Sequence, residues 1–324
     1  MWHWTSNERG IDGLVIAHSP PPVPGPGQVL IKTEYAAVNF SDLLMIDDRY
    51  QVAPTRPFTP GQEVAGTIVA VGEDGPWKSG DRVATKVEWG GFAEFVCVRA
   101  DMPIAIPDGI DLAAAAALPV SYTTAMVAFE QVDRIAEGTV VLVHAAAGGV
   151  GLASIEIAKT KGATVIATAA GEEKLGLIMR HGADFAFDYR QDDWISAVND
   201  VTHGAGAKII VDPVGGAITE KSLQCIARDG ILLIVGFASG SVPKIPAHRL
   251  LLKRASAKGI YWSHDHDGVE LKRISHDLVG LLSAGKIKPE IDTKNWLAEL
   301  PEALSRLASR QTVGKVVLAV APLS

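Results

Sequence analysis

Val140-Val141-Leu142-Val143-His144-Ala145-Ala146-Ala147-Gly148-Gly149-Val150-Gly151 is the stretch on which the fold turns. Its first part, all valine and leucine, reads as a strand buried on both faces. The glycine-rich turn then opens into Leu152 to Lys161, whose apolar spacing is helical and which Gly162 ends. Strand, glycine turn and helix in this order are the context a dinucleotide fingerprint requires. Glycine lets the backbone pass close to a pyrophosphate, and the N–H groups and dipole of the new helix stabilise its charge. One position departs from the common pattern: in Ala146-x-Gly148-x-x-Gly151, alanine replaces the first glycine.

Strands and helices alternate downstream. Ala163 to Ala169 reads as a second strand and Glu172 to His181 as a second helix, ended by Gly182. Ile209-Ile210-Val211-Asp212 and Ile231 to Val235 are further apolar strands. Such alternation implies parallel pairing through right-handed crossovers. Upstream the character differs. Pro20 to Gly27 is too rich in proline and glycine for helix. Val29 to Thr33, Val64 to Val71, a strand entered at Gly80-Asp81-Arg82-Val83, and Phe92 to Val98 suggest a compact antiparallel β domain. The tail reads as helices over Leu271 to Ala284 and Glu299 to Ser309, then a strand from Gly314 to Val320.

Length and composition set the frame. The 324 residues make roughly two domains at about 150 residues each. With 48% hydrophobic and 21% charged residues the chain is globular. Two cysteines, Cys97 and Cys225, allow neither a disulfide framework nor a cysteine-rich zinc site, and fit a reducing cytoplasm. A net charge of −7 and no basic run speak against nucleic acid as a partner. The apolar stretch Asp111 to Val127 is interrupted by Pro119, Ser121 and Tyr122, short of the roughly 20 residues of a membrane span. Met1-Trp2-His3-Trp4 has no basic segment followed by an apolar core, so no signal peptide is read.

The second strand decides which nucleotide. A chain that binds NAD usually carries an acid at its end, on the ribose hydroxyl. Here that end is Ala167-Thr168-Ala169-Ala170-Gly171, with no acid. Glu172 and Glu173 fall in the first helical turn, where they suit the macrodipole. Lys174 follows, a cation suited to a 2′-phosphate.

Four motifs in order carry a resemblance: Pro60-Gly61-Gln62-Glu63-Val64-Ala65-Gly66, Ala145 to Gly151, Asp212-Pro213-Val214-Gly215-Gly216, and Val235-Gly236-Phe237-Ala238-Ser239-Gly240. From about Gly27 to Leu318 the chain resembles the zinc-independent quinone oxidoreductases of the medium-chain dehydrogenase/reductase superfamily, which includes zeta-crystallin. The resemblance implies a GroES-like β-rich catalytic domain over 1–120 and 255–324. It implies a Rossmann domain with a doubly wound parallel sheet over 121–254, and NADPH as hydride donor to quinones, enones or alkenals. Ala146, Ala147, Gly148, Gly149 and Val150 would cradle the pyrophosphate. Lys174, Tyr189 and Arg310 match family positions at the 2′-phosphate. Thr124 and Gly236-Phe237-Ala238 match positions near the nicotinamide.

The alcohol dehydrogenase cousins carry Cys where Asn39 stands and Gly-His-Glu where Gly61-Gln62-Glu63 stands, so no catalytic metal is expected. His264 and His266, in Ser263 to Asp267, read as a solvated loop. Hydride delivered to an enone builds charge on the carbonyl oxygen, which hydrogen-bond donors must then stabilise. Asn39 and Tyr50 lie in the family's cleft-lining segment and are donors by type; equally, Asn39 ties a loop and Tyr50 is an ordinary half-exposed aromatic. An enoyl thioester reductase or an alcohol dehydrogenase shares this fold. A nucleotide-binding protein with little catalysis is the reading from another class. A homodimer is expected through the edge strand Ile231 to Val235, since an open apolar edge invites pairing.

Overall fold

The structure is a computed structural model, and it describes all residues except 53, 73, 74, 192 and 322–324. The chain divides into two compact units. The first comprises Met1–Val120, Asp267–Ser283 and the described residues from Pro289 on; the second comprises Ser121–His266 and Ala284–Lys288.

The first unit opens with a hairpin of β1 (Trp2–Ser6) and β2 (Leu14–His18). Its main sheet contains β3 (Gln28–Ala37), β4 (Glu63–Val71), β5 (Arg82–Lys86), β6 (Phe95–Arg99), β7 (Ile104–Ala105), β14 (Ile291–Asp292) and β15 (Lys315–Ala319). The strand order is β14-β15-β3-β4-β5-β7, with β6 on β3. All these pairings are antiparallel except β14 with β15. The C-terminal strand therefore does return to the N-terminal sheet, Val317 lying opposite Ala37. Helices α1 (Phe40–Ile46), α2 (Leu112–Ala115) and α10 (Leu300–Ala308) accompany the sheet. Val29, Ile31, Val64, Ile68, Val83 and Phe92 are wholly buried in its core. Each such side chain stabilises the fold by about 1.5–3 kcal/mol.

The second unit is built on six parallel strands. They are β8 (Val140–Val143), β9 (Thr164–Ala169), β10 (Phe185–Asp188), β11 (Ala207–Asp212), β12 (Ile226–Ile234) and β13 (Ser256–Gly259). The order β10-β9-β8-β11-β12-β13 is the doubly wound one, reversing direction between β8 and β11. Helices α3 (Thr123–Glu130), α4 (Gly149–Thr160), α5 (Glu172–Arg180), α6 (Trp194–Val201), α7 (Gly216–Ser222) and α8 (Ala247–Lys253) supply its connections and cover. Val141, Leu142 and Val143 are fully buried, as an apolar run covered on both faces demands.

Three expectations change. The second unit runs past residue 254, because β13 pairs with β12, Ile231 opposite Ser256. Ile231 to Val235 is accordingly not an edge; β13 is. Its sequence, Ser-Ala-Lys-Gly, has neither the length nor the apolar run that marks a buried strand. His264 to Asp267 is not a loop but the first turn of α9 (His264–Ser283). The apolar run Leu112–Glu130 is core: it passes as a membrane span by length and composition, yet 83% of its apolar window is buried.

Candidate functional site

The strand-to-helix turn comes first. Ala146 N–H donates to the Thr168 carbonyl (3.0 Å) and Gly148 N–H to that of Ala145 (3.0 Å), folding the turn back on the sheet. Leu152 N–H makes the first regular helical bond, to Gly148 (2.9 Å). The amides of Gly149, Val150 and Gly151 therefore stand in the first turn, ahead of any intrahelical acceptor. Gly148 is exposed and Ala146 and Ala147 are buried, so an anion at this helix start would meet backbone, not side chain. Gly151 has another role. A Cβ there would lie 2.5 Å from the Ala145 oxygen and 2.6 Å from Ala146 Cα, so glycine is what allows α4 to pack on the turn. Ala146 suffices at the first position because its own backbone keeps an ordinary negative φ while Ala145 takes φ 46°.

The end of β9 lies beside the end of β10. Asp188 is paired with Ala169, and Tyr189 N–H donates to the Ala169 carbonyl (3.2 Å). Tyr189 packs partly against the core of this unit. Lys174 is half-buried in the first turn of α5. Further along the strand ends, Ala238 N–H donates to the Pro213 carbonyl (3.0 Å), and Phe237 packs where a Gly215 side chain would be. Gly236, Phe237 and Ala238 are half-buried. Thr124 on α3 accepts a hydrogen bond from Trp262 Nε1 (3.0 Å), which leaves its own hydroxyl proton to donate. No motif pointed to Trp262, which follows β13 and lies 138 residues from Thr124 along the chain.

A polar lattice behind these strand ends also escaped sequence reading. His144 is buried, with Nδ1 2.9 Å from Thr168 Oγ1 and Nε2 2.8 Å from Ser222 Oγ. Burial pushes its pKa down to about 4, partly countered by Asp212, so it is neutral at physiological pH. Asp212 accepts from the N–H groups of Val214 (2.8 Å) and Gly215 (3.1 Å) and from Thr219 Oγ1 (2.5 Å). These bonds hold the C-terminal ends of β8, β9 and β11, the end of such a sheet at which ligands bind.

In the first unit Asn39 and Glu63 meet in a buried charged cluster. Glu63 Oε2 accepts from Asn39 Nδ2 (3.1 Å) and pairs with Lys315 Nζ (2.6 Å), while Oε1 accepts from Val120 N–H (2.7 Å). Lys315 also donates to Asn39 Oδ1. Asp42 Oδ2 accepts from the backbone N–H of Asn39 (2.7 Å), and Ser41 Oγ donates to Gln62 Oε1. Burial raises the Asp42 carboxyl to about 7, against the lowering by Asn39 N–H and Lys315. The Asn39 amide is thus engaged on both ends, by Glu63 and Lys315, and ties α1, β4 and β15 together. Tyr50 is half-buried against the core of the same unit, with its backbone N–H on the Leu44 carbonyl (3.1 Å). Arg310 is exposed at the end of α10, with φ 60°.

Comparison with known proteins gives the same two parts. The alcohol dehydrogenase GroES-like domain matches residues 25–108, and the zinc-binding dehydrogenase family matches residues 149–275. Quinone oxidoreductase-like protein 2 of Mus musculus is 36% identical over 307 residues, covering 93% of this chain and 87% of its own. The chain belongs to the quinone oxidoreductase family of medium-chain dehydrogenases/reductases. Escherichia coli quinone oxidoreductase solved with NADPH superposes with a TM-score of 0.90 at 26% identity, covering 98% of this chain and 100% of that one. A mycobacterial protein complexed with NADPH gives 0.91 at 33% identity, over 98% and 100%.

One of the matching families is described as zinc-binding, and the residues of this chain around Asn39 and Gln62 do not fit a zinc ion. The positions where its alcohol dehydrogenase cousins carry Cys and His hold Asn39 and Gln62, two neutral amides. An ammonium already sits against Glu63 and Asn39. A second cation there would be repelled by Lys315.

Proposed function

We propose that the protein is an NADPH-dependent oxidoreductase that reduces quinones or α,β-unsaturated carbonyls without a metal. The observation that carries this is the second unit's strand-end surface. A glycine turn opens a 12-residue helix beside a second strand that ends without an acid. When bound, the nicotinamide supplies the hydride. The chain's part is to bind and orient. The turn Ala146 to Val150, with the free amides of the first helical turn, receives the pyrophosphate, and Lys174 and Tyr189 receive the 2′-phosphate. Thr124 and Gly236 to Ala238 position the nicotinamide end. Tyr50 is the donor for the carbonyl oxygen, and Asn39, locked by Glu63 and Lys315, holds the segment that carries it.

Steady-state NADPH oxidation with quinones, enones and enoyl thioesters, with and without a chelator, tests this. Turnover of a quinone or enone that survives chelation is expected. Turnover of enoyl thioesters or alcohols alone would move the chain to another branch of the superfamily, and none with any acceptor would leave a nucleotide-binding protein. Replacing Lys174 by Ala should raise the Michaelis constant for NADPH and leave that for NADH nearly unchanged; equal loss for both refutes the 2′-phosphate assignment. The protein is a homodimer through β13, which is flanked by exposed Leu251, Leu252 and Tyr261. Its unpaired cysteines, Cys97 and Cys225, suit the cytoplasm.

A further inference from the structure

The family resemblance implies Lys174, Tyr189 and Arg310 at the 2′-phosphate, and the structure adds a cation that neither spacing nor motif singled out. Arg190 follows β10, and its guanidinium folds back over the end of β9. A Cβ placed on Gly171 would lie 3.3 Å from Arg190 Nη2. Gly171 is the residue that ends the second strand's turn and precedes α5. This is where an NAD-binding chain places its ribose acid and where an NADP-binding chain needs a cation.

Arg190 is held there. Asp188 Oδ1 accepts from Arg190 Nε (3.1 Å) and backbone N–H (2.9 Å), and Oδ2 accepts from Nη2 (2.7 Å). Asp188 Oδ2 also accepts from Gly171 N–H (2.8 Å), so one carboxylate fixes both the arginine and the turn beneath it. The Asp188 side chain is 7% exposed while that of Arg190 is 56% exposed: the anchor is inside and the guanidinium outside. The fork with Asp188 uses Nε and Nη2, and among the described residues Nη1 has no partner. A planar guanidinium fixed along one edge presents its other edge in a set orientation, which suits a phosphate oxygen. Asp188 cancels the net charge of the pair, so Arg190 contributes directional hydrogen bonds at short range, and Lys174 supplies the longer-range attraction.

We propose that Arg190, aligned by Asp188, is a specificity-determining residue that hydrogen-bonds the 2′-phosphate of NADPH. This rests on the NADPH reading above. Calorimetric titration of NADPH and NADH into the wild-type protein and into Arg190→Gln and Arg190→Lys tests it. The wild type should bind NADPH more tightly than NADH. Arg190→Gln should weaken NADPH about tenfold or more, as loss of a charge-assisted bond does, with NADH unchanged within twofold; Arg190→Lys should fall between. If the wild type does not discriminate, the NADPH reading falls and this inference with it. If the wild type discriminates and Arg190→Gln leaves the ratio of the two constants unchanged, Arg190 alone is refuted. Equal weakening of both cofactors would mean that Arg190 only shapes the turn, and also overturns the proposal. A melting temperature of Arg190→Gln close to wild type confirms that folding is not what is being read.

Discussion

Gly151 bears a constraint that only the absence of a side chain satisfies. Gly151→Ala would press a methyl group into Ala145 and Ala146, so the first turn of α4 must move off the sheet. The expected outcome is a loss of about 1–3 kcal/mol in stability, as for overpacking, together with weaker NADPH binding, read by denaturation and titration. Two buried titrating groups give opposite pH dependences. His144 has its folded pKa lowered to about 4 from 6.5, so its contribution is complete above about 6.5 and lost as pH falls towards 4. Asp42 has its folded pKa raised from 3.8 to about 7, so stability is lost as pH rises through that window, at about 1.4 kcal/mol per pK unit. Asp42→Asn should therefore stabilise the protein more near pH 8 than near pH 5. Urea unfolding at both values checks this, and an equal effect at both would show that Asp42 does not titrate there. The glycines were legible in sequence because their meaning is local. The burial of Asp42 and His144 was not, because burial depends on what other elements place above them.

At the level of elements, the cluster of Glu63, Lys315, Asn39 and Asp42 joins the starts of β4 and β15 to the N-terminus of α1. With side-chain exposures of 6% and 0%, Lys315 and Glu63 form a buried pair whose charges must balance. Removing one partner from such a pair costs about 3–5 kcal/mol, whereas removing both is often nearly neutral. Lys315→Met should destabilise by that amount, and the double change with Glu63→Gln should recover most of it. A double variant no better than Lys315→Met would show that the pair is not coupled as the distances imply. The strong strands and helices of the second unit were legible because apolar runs and glycine stops repeat at short range. Short elements such as β7, β13 and β14 carry too few residues to show a period; pairing partners alone make them strands.

For the molecule as a whole, β13 replaces Ile231 to Val235 as the open edge, and the dimer prediction moves with it. Leu251, Leu252 and Tyr261 are 76%, 71% and 74% exposed, an apolar fringe that a second copy would cover. Light scattering across a concentration range should give about twice 34.2 kDa, and Leu251→Asp with Leu252→Asp should shift it towards the monomer. A mass near 34.2 kDa throughout would refute the dimer, and a dimer indifferent to the double change would place the interface elsewhere.

The amino-acid sequence by itself determined the alternation of strands and helices in the second unit, its glycine turn and the missing acid at the second strand, since each is written in the pattern of neighbouring residues. Tertiary structure alone decided that Asn39 is tied to Lys315, 276 residues away. It alone brought Trp262 to Thr124 and laid Arg190 over Gly171. These contacts depend on how strands stack side by side, and chain distance carries no information about that; a hydrogen bond of about 3 Å between distant residues exists only once the sheets between them have formed.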